Sequence, residues 1–267
     1  MEQKEHYTIS DLMKLARELR TPGTGCPWDL KQTFKTIIPH TLEEAYEVAD
    51  AIDRNAMDDL REELGDLLFQ VVLYAQIAKE AGYFDLNDII HNLTQKMISR
   101  HPHVFADQSA ANASEVNAIW DAQKDKESKN KPGTSALDGI TLALPALLKA
   151  QKLQKKAASA GFEWNSPLDV LDKLEEEIAE MRAAIANNDK ENQEEELGDI
   201  IFLLVNYGRM LDIRAEEAVR KCNLKFENRF RGLEKEIRKQ GSTINEVSQS
   251  QKIQAWNNQK LKERKTA

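Results

Sequence analysis

The 267-residue chain is poor in what builds a covalently stapled, strand-rich or membrane-spanning protein. It has two cysteines, Cys26 and Cys222, far apart in sequence. Two thiols make no disulfide framework, so both are expected to be reduced, packed side chains. Eleven glycines and seven prolines are too few for collagen-like or many-turned β architectures. The longest apolar run, Ile200 to Val205, falls well short of the ~18–20 residues of a membrane span. Residues Met1 to Arg20 contain no apolar stretch of the signal-peptide kind. Cations are outnumbered, 37 Lys and Arg against 45 Asp and Glu, for a net charge of −8. That balance argues against a broad nucleic-acid or anionic-membrane surface. The chain therefore reads as a soluble, cytoplasmic protein with no nucleic-acid and no membrane partner.

What is present is helix-forming material. Hydrophobic residues are 41% of the chain, enough for a core, and charged residues are 31%, which dresses a surface. Leu60, Leu64, Leu67, Leu68, Val71, Val72, Ala75 and Ala78 recur at three- and four-residue spacing, as do Leu171, Leu174, Ile178, Met181 and Ile185. This is the period of amphipathic helices, and Ala, Leu, Glu, Lys and Gln favour them. The pattern predicts an all-α fold with helices near 8–20, 37–54, 57–81, 86–99, 114–128, 139–160, 167–187, 190–211, 213–239 and 244–264.

The chain also repeats itself. Glu44 and Glu47 align with Glu177 and Glu180, and Glu63-Leu64-Gly65-Asp66 aligns with Glu196-Leu197-Gly198-Asp199 at the same offset. Phe69 and Tyr74 then fall on Phe202 and Tyr207. With small shifts, Lys96 and Arg100 fall on Lys225 and Arg229, Trp120 and Lys124 on Trp256 and Lys260, and Gly25-x-x-Trp28 on Gly161-x-x-Trp164. A period this long means two copies of one unit, expected over 1–130 and 131–267. The linker is expected from Ser128 to Asp138, around Pro132-Gly133.

The acids carry the chemistry. Residues three apart share a helix face, so Glu44 projects with Glu47, Glu63 with Asp66, Glu177 with Glu180, and Glu196 with Asp199. If neighbouring helices form an antiparallel hairpin, four carboxylates converge in each copy. Two such charges about 5 Å apart repel by roughly 3 kcal/mol at an effective dielectric near 20, so the cluster calls for a cation. All-oxygen anionic ligands suit Mg²⁺, with Mn²⁺ as a substitute, better than Zn²⁺. A di-iron site would need Glu-x-x-His on two helices, and none of the five histidines stands so in these segments. Gly65 and Gly198 each interrupt a helix at a cost of about 1 kcal/mol, which predicts a close helix approach or a ligand there.

Glu-Glu-x-x-Glu followed by Glu-Glu-x-Gly-Asp resembles the all-α nucleoside triphosphate pyrophosphohydrolases of the MazG family. Gly25-Cys26-Pro27-Trp28-Asp29, Tyr46-Glu47-Val48, His101-Pro102-His103-Val104-Phe105 and Lys225-Phe226-Glu227-x-Arg229-Phe230 extend the resemblance over nearly the whole chain. It implies two tandem MazG-like units with a bundle completed in a homodimer. It implies Mg²⁺-dependent hydrolysis of a nucleoside triphosphate to the monophosphate and pyrophosphate, with the second copy catalytic. Water would attack the α-phosphorus. Glu177, Glu180, Glu196 and Asp199 would hold metal, and Glu176 or Glu195 would orient or deprotonate the water and face the substrate.

Cations are expected on the phosphates. Lys225 and Arg229 lie one turn apart on one face and match the family's substrate-contacting positions. Lys173, four residues before Glu177, is a further candidate, with His40 in its place in the first copy. Lys260 follows Trp256 by one turn, and Trp256 serves either as a base-stacking surface or as a core anchor. Family members often carry a lysine ahead of the second acid pair, where Asn192 and Gln193 stand here. The reading from another class is a non-catalytic helical protein that senses nucleotides or docks a partner.

Overall fold

Local chemistry sets where the helices start and stop. In the computed structural model the described residues are 3–116, 119–120, 122–123 and 135–266, with side chains described as far as 263. Helix α1 (Ile9–Leu19) is opened by Thr8, whose N–H and hydroxyl both donate to Asp11 Oδ2, at 3.0 and 2.9 Å. Helix α3 (Phe34–Asp53) is opened by a reciprocal pair, Thr36 N–H to Thr33 Oγ1 and Thr33 N–H to Thr36 Oγ1. Each arrangement satisfies amides that the first turn leaves without partners. Between α1 and α3 lies a single short turn of helix, α2 (Pro27–Lys31), which periodicity does not reveal.

The chain divides into two compact units, Met1–Lys131 and Pro132–Ala267. In the first, α3 pairs with α4 (Met57–Glu80) as a hairpin, and α1 and α5 (Leu86–Arg100) pack on α4. A single turn, α6 (Pro102–Phe105), follows α5. Its core has two clusters, Ala16, Val72, Ala75 and Leu86, and Ile37, Leu73 and Ile77, with Phe69 touching both. In the second unit α8 (Pro167–Ala186) pairs with α9 (Lys190–Met210), and α7 (Ala146–Ser159) packs on α9. Helix α10 (Ala215–Lys239) contacts α7 and α9 and pairs with α11 (Gln249–Thr266) around Leu233, Ile237 and Ala255. No strand occurs among the described residues.

The repeat is visible in the hairpin turns. Asn55, between α3 and α4, has φ +55°, and Asn188, between α8 and α9, has φ +52°. Asn tolerates this left-handed conformation better than most residues. In each turn the next amide reaches back over the helix end, Ala56 N–H to the Ala51 carbonyl at 2.9 Å and Asp189 N–H to the Ala184 carbonyl at 3.0 Å. Ala51 and Ala184 are both buried where the paired helices meet.

Several expectations shift. The helix expected over 139–160 begins at Ala146, because Pro145 sets its start and Gly139 holds φ +83° in the preceding turns. Pro39 lies inside α3 rather than near its first residue. Residues 128–134 of the linker expected over 128–138, and parts of the helix expected over 114–128, lie outside the described residues, while Ser135 N–H donates to Asp138 Oδ2 in the turn that follows. Cys222 is exposed on α10, not packed. Gly65 and Gly198 face open space: a Cβ at either would meet nothing within 4 Å. Close packing against the described residues is therefore not what these glycines serve.

Arg20 ties the first unit together. Its Nε lies 3.1 and 3.0 Å from the two Glu80 carboxylate oxygens, and its Nη2 lies 2.7 Å from Oε2. Its Nη1 donates to the carbonyls of Asp29 and Gln32. Helix α1, α2 and the end of α4 thus share one buried guanidinium. Arg20→Ala is expected to destabilise this unit by about 2–3 kcal/mol, since it strands Glu80 and two carbonyls. Arg20→Lys should recover part of that, read as the midpoint of a urea titration.

Candidate metal and nucleotide site

The helix hairpins bring the predicted acids together three at a time. Oxygens of Glu44, Glu63 and Asp66 lie within 4.8 Å of one another in the first unit, as do those of Glu177, Glu196 and Asp199 in the second. In each case the first acid comes from one helix and the other two from its antiparallel partner. Glu47 and Glu180 stand on the exposed flank outside these trios, near enough for their charges to act on them.

The two trios differ in burial and in what balances their charge. Glu177 and Glu196 are each 7% exposed, whereas Glu44 and Glu63 are half-buried. Burial, reinforced by Asp66, Glu47 and Glu63, pushes the Glu44 carboxyl up from its ordinary value. Burial, with Glu47 and Asp66 foremost among its neighbours, pushes Glu63 up too. Gln70, buried on α4, donates to Glu44 Oε1 at 3.4 Å. In the second unit Lys173 Nζ lies 2.9 Å from Glu177 Oε1 and 2.7 Å from Glu176 Oε1. That ammonium holds the Glu177 carboxyl below the usual range, and the two acids in turn push Lys173 up. Glu196 moves the other way, raised by burial and by its hydrogen bond to Glu177.

One atom tests whether a cation fits. Glu196 Oε2 is buried and has no hydrogen-bond partner among the described residues. A buried carboxylate oxygen so placed costs free energy unless something electropositive meets it. It lies in a cluster of hard oxygen donors, so the second trio suits a hard divalent cation.

The remaining predicted residues lie elsewhere. Glu176 and Glu195 are exposed, each next in sequence to a buried member of the trio. Lys225, Arg229, Trp256 and Lys260 sit on α10 and α11. Arg229 is paired with Glu263, at 2.8 Å from Nε to both oxygens and 2.6 Å from Nη2. Its guanidinium also lies 5.9 Å from the Trp256 ring centre. Trp256 packs on the Leu233–Ile237–Ala255 cluster and on Phe226, 5.4 Å away between ring centres. Lys225 and Lys260 are exposed. Arg100 over Trp120, at 5.0 Å, reproduces the cation–π pair in the first unit. Sequence reasoning missed Glu263 and Gln70, since neither belongs to a repeated motif.

A family model, the MazG nucleotide pyrophosphohydrolase domain, matches residues 32–105 and 165–232. The chain belongs to the MazG family. Each matched segment contains one acid trio, and the second also contains Lys173, Lys225 and Arg229, while Trp256 and Lys260 lie beyond it. Among MazG relatives, the nucleoside triphosphate pyrophosphohydrolase of Escherichia coli (strain K12) is 49% identical over 257 residues, 96% of this chain and 98% of that protein. The nucleoside triphosphate pyrophosphohydrolase/pyrophosphatase MazG of Thermotoga maritima is 39% identical over 248 residues, 93% of this chain and 94% of that one. A crystal structure of a MazG-related protein from Thermotoga maritima aligns with a TM-score of 0.38 at 30% identity, over 43% of this chain and 98% of that one.

The shifted carboxyls fix how stability responds to pH and metal. A raised folded-state value, as for Glu44, Glu63 and Glu196, gives stability that is present below the unfolded value and lost as pH rises through the folded one. Glu177, held low, runs the opposite way and keeps its contribution above the carboxylate range. A divalent ion binds only the ionised form, so its stabilisation grows with pH. Millimolar Mg²⁺ is expected to raise the thermal midpoint at about pH 7.5 and to leave it nearly unchanged at about pH 4.5. Differential scanning fluorimetry checks this.

Proposed function

We propose that the chain hydrolyses nucleoside triphosphates to the monophosphate and pyrophosphate, and that the second unit carries the reaction. Family membership supports the reaction class, and the buried, unpartnered oxygen of Glu196 supports the assignment to that unit. Glu177, Glu196 and Asp199 would hold Mg²⁺, with Mn²⁺ as a substitute, and Glu180 joins them from the flank. The bound metal would polarise the phosphate oxygens and offset the repulsion between a polyanion and an acidic chain.

The chain's own side chains do the rest. Phosphoryl transfer relies on positioning and charge stabilisation rather than on a covalent nucleophile. Glu176 and Glu195, exposed beside the metal-holding acids, are placed to orient a water or take its proton. Lys173 sits at the same rim and can face the phosphates. Lys225 and Arg229 present cations from α10, and Lys260 adds one from α11. Trp256, beside Arg229, offers an indole ring on which a base can stack.

We further infer that the working form is a homodimer. Leu197 and Ile201 are 52% and 42% exposed on α9, and Phe202, Leu204, Ile178 and Ile185 are uncovered on the same hairpin. Exposed apolar side chains gathered on one hairpin mark an interaction surface. The open space at Gly198 lies on this hairpin too.

Two measurements test the reading. Incubated with Mg²⁺ and each triphosphate, the chain should yield monophosphate and pyrophosphate. Diphosphate with inorganic phosphate would contradict the assigned bond, and binding without any product would leave a sensor. Glu180→Ala or Asp199→Ala should lower kcat by about 10²–10³-fold, as loss of a charge-stabilising group does, while Glu47→Ala or Asp66→Ala should largely spare it. The reverse pattern would move the active site to the first unit.

A further inference from the structure

We propose that Lys173 is the resident counter-ion of the second acid trio, so that a divalent ion binds there only as the Lys173 ammonium leaves Glu177. The inference rests on the metal reading above and deepens it. Lys173 is one helical turn before Glu177, and its ammonium lies between Glu177 Oε1 at 2.9 Å and Glu176 Oε1 at 2.7 Å. The Glu177 side chain is only 9% exposed, while that of Glu176 is 59% exposed. The ammonium therefore bridges a buried ligand and a surface acid. A divalent ion drawn to Glu177, Glu196 and Asp199 meets a positive charge already on one of its ligands.

The first unit supplies an internal contrast. His40 occupies the Lys173 register, and its Nδ1 lies 3.6 Å from Glu43 rather than on Glu44. Glu44 is met instead by the uncharged amide of Gln70. In the second unit Leu203 replaces Gln70 and is buried. The same acids are thus balanced by an ammonium in one unit and met by a neutral amide in the other.

Exchange has a consequence for substrate. The lysine stem is long and flexible, and Glu176 can keep the ammonium at the rim when Glu177 lets go. An ammonium released there needs an anion, and a triphosphate supplies one. Metal and nucleotide binding are then coupled, and the coupling is reciprocal by linkage. In the free chain the trio holds metal weakly, and nucleotide strengthens it.

The test titrates Mn²⁺ by electron paramagnetic resonance, with and without a non-hydrolysable α,β-methylene triphosphate. A Glu44→Gln/Glu63→Gln background confines the signal to the second unit. Without nucleotide, Lys173→Met should bind Mn²⁺ on the order of tenfold more tightly, as removal of an adjacent charge predicts, and nucleotide should add little. Lys173→Gln should behave alike and Lys173→Arg should stay weak. Lys190→Met, which removes a lysine that bonds Gln193 instead, should change affinity by less than about twofold. Unchanged or weaker Mn²⁺ binding in both Lys173→Met and Lys173→Gln would overturn the proposal while leaving the metal site in place. No Mn²⁺ binding in any of these proteins would instead overturn the metal reading, and this proposal with it.

Discussion

Three carboxylates drawn within 4.8 Å of one another across a helix hairpin set the terms for the rest of each unit. Their repulsion, roughly 3 kcal/mol per pair at that distance and an effective dielectric near 20, favours splaying the helices. The hairpin resists it with apolar burial below the acids and with the tight Asn55 and Asn188 turns. Ala51 and Ala184 let the helix backbones approach at those turns. The charge is managed locally as well. Burial pushes a proton toward Glu44, Glu63 and Glu196, and Lys173 neutralises Glu177.

The two units share this constraint and answer it differently. The first meets its trio with a neutral amide and leaves it half-buried. The second buries two acids, places an ammonium beside one of them, and leaves a carboxylate oxygen of the other without a partner. A site that stores an unmet electrostatic demand is poised for a ligand.

Much of this was legible in the sequence because it is periodic. The 3.6-residue pattern placed α4, α5, α8 and α9 within two residues of their observed ends, and three-residue spacing put Glu63 with Asp66 and Glu196 with Asp199 on one face. What was hidden depends on contacts between elements far apart in sequence. Glu263 on Arg229 and Gln70 on Glu44 come from the helix pairings, which no local pattern encodes. Gly65 and Gly198 suggested a close helix approach or a ligand, and among the described residues a Cβ at either would meet nothing within 4 Å, which sets aside the first alternative only. The short helices at Pro27 and Pro102 escaped because one turn is too brief for a period to show.

Two of the cations of the second unit, Lys173 and Arg229, are already paired. Lys173 bridges Glu176 and Glu177, and Arg229 is held by Glu263. On the proposed function, a triphosphate taken up by these two cations would exchange salt bridges rather than form them from solvated partners. Such an exchange contributes less net affinity than a free cation would, because the old pair must be broken. It contributes more discrimination, because a ligand with a single phosphate can compensate for only one broken pair. An acidic chain that must bind a highly charged nucleotide and then release a less charged monophosphate benefits from that difference. The internal acids that occupy its lysine and arginine would then be part of how the proposed site empties as well as how it fills.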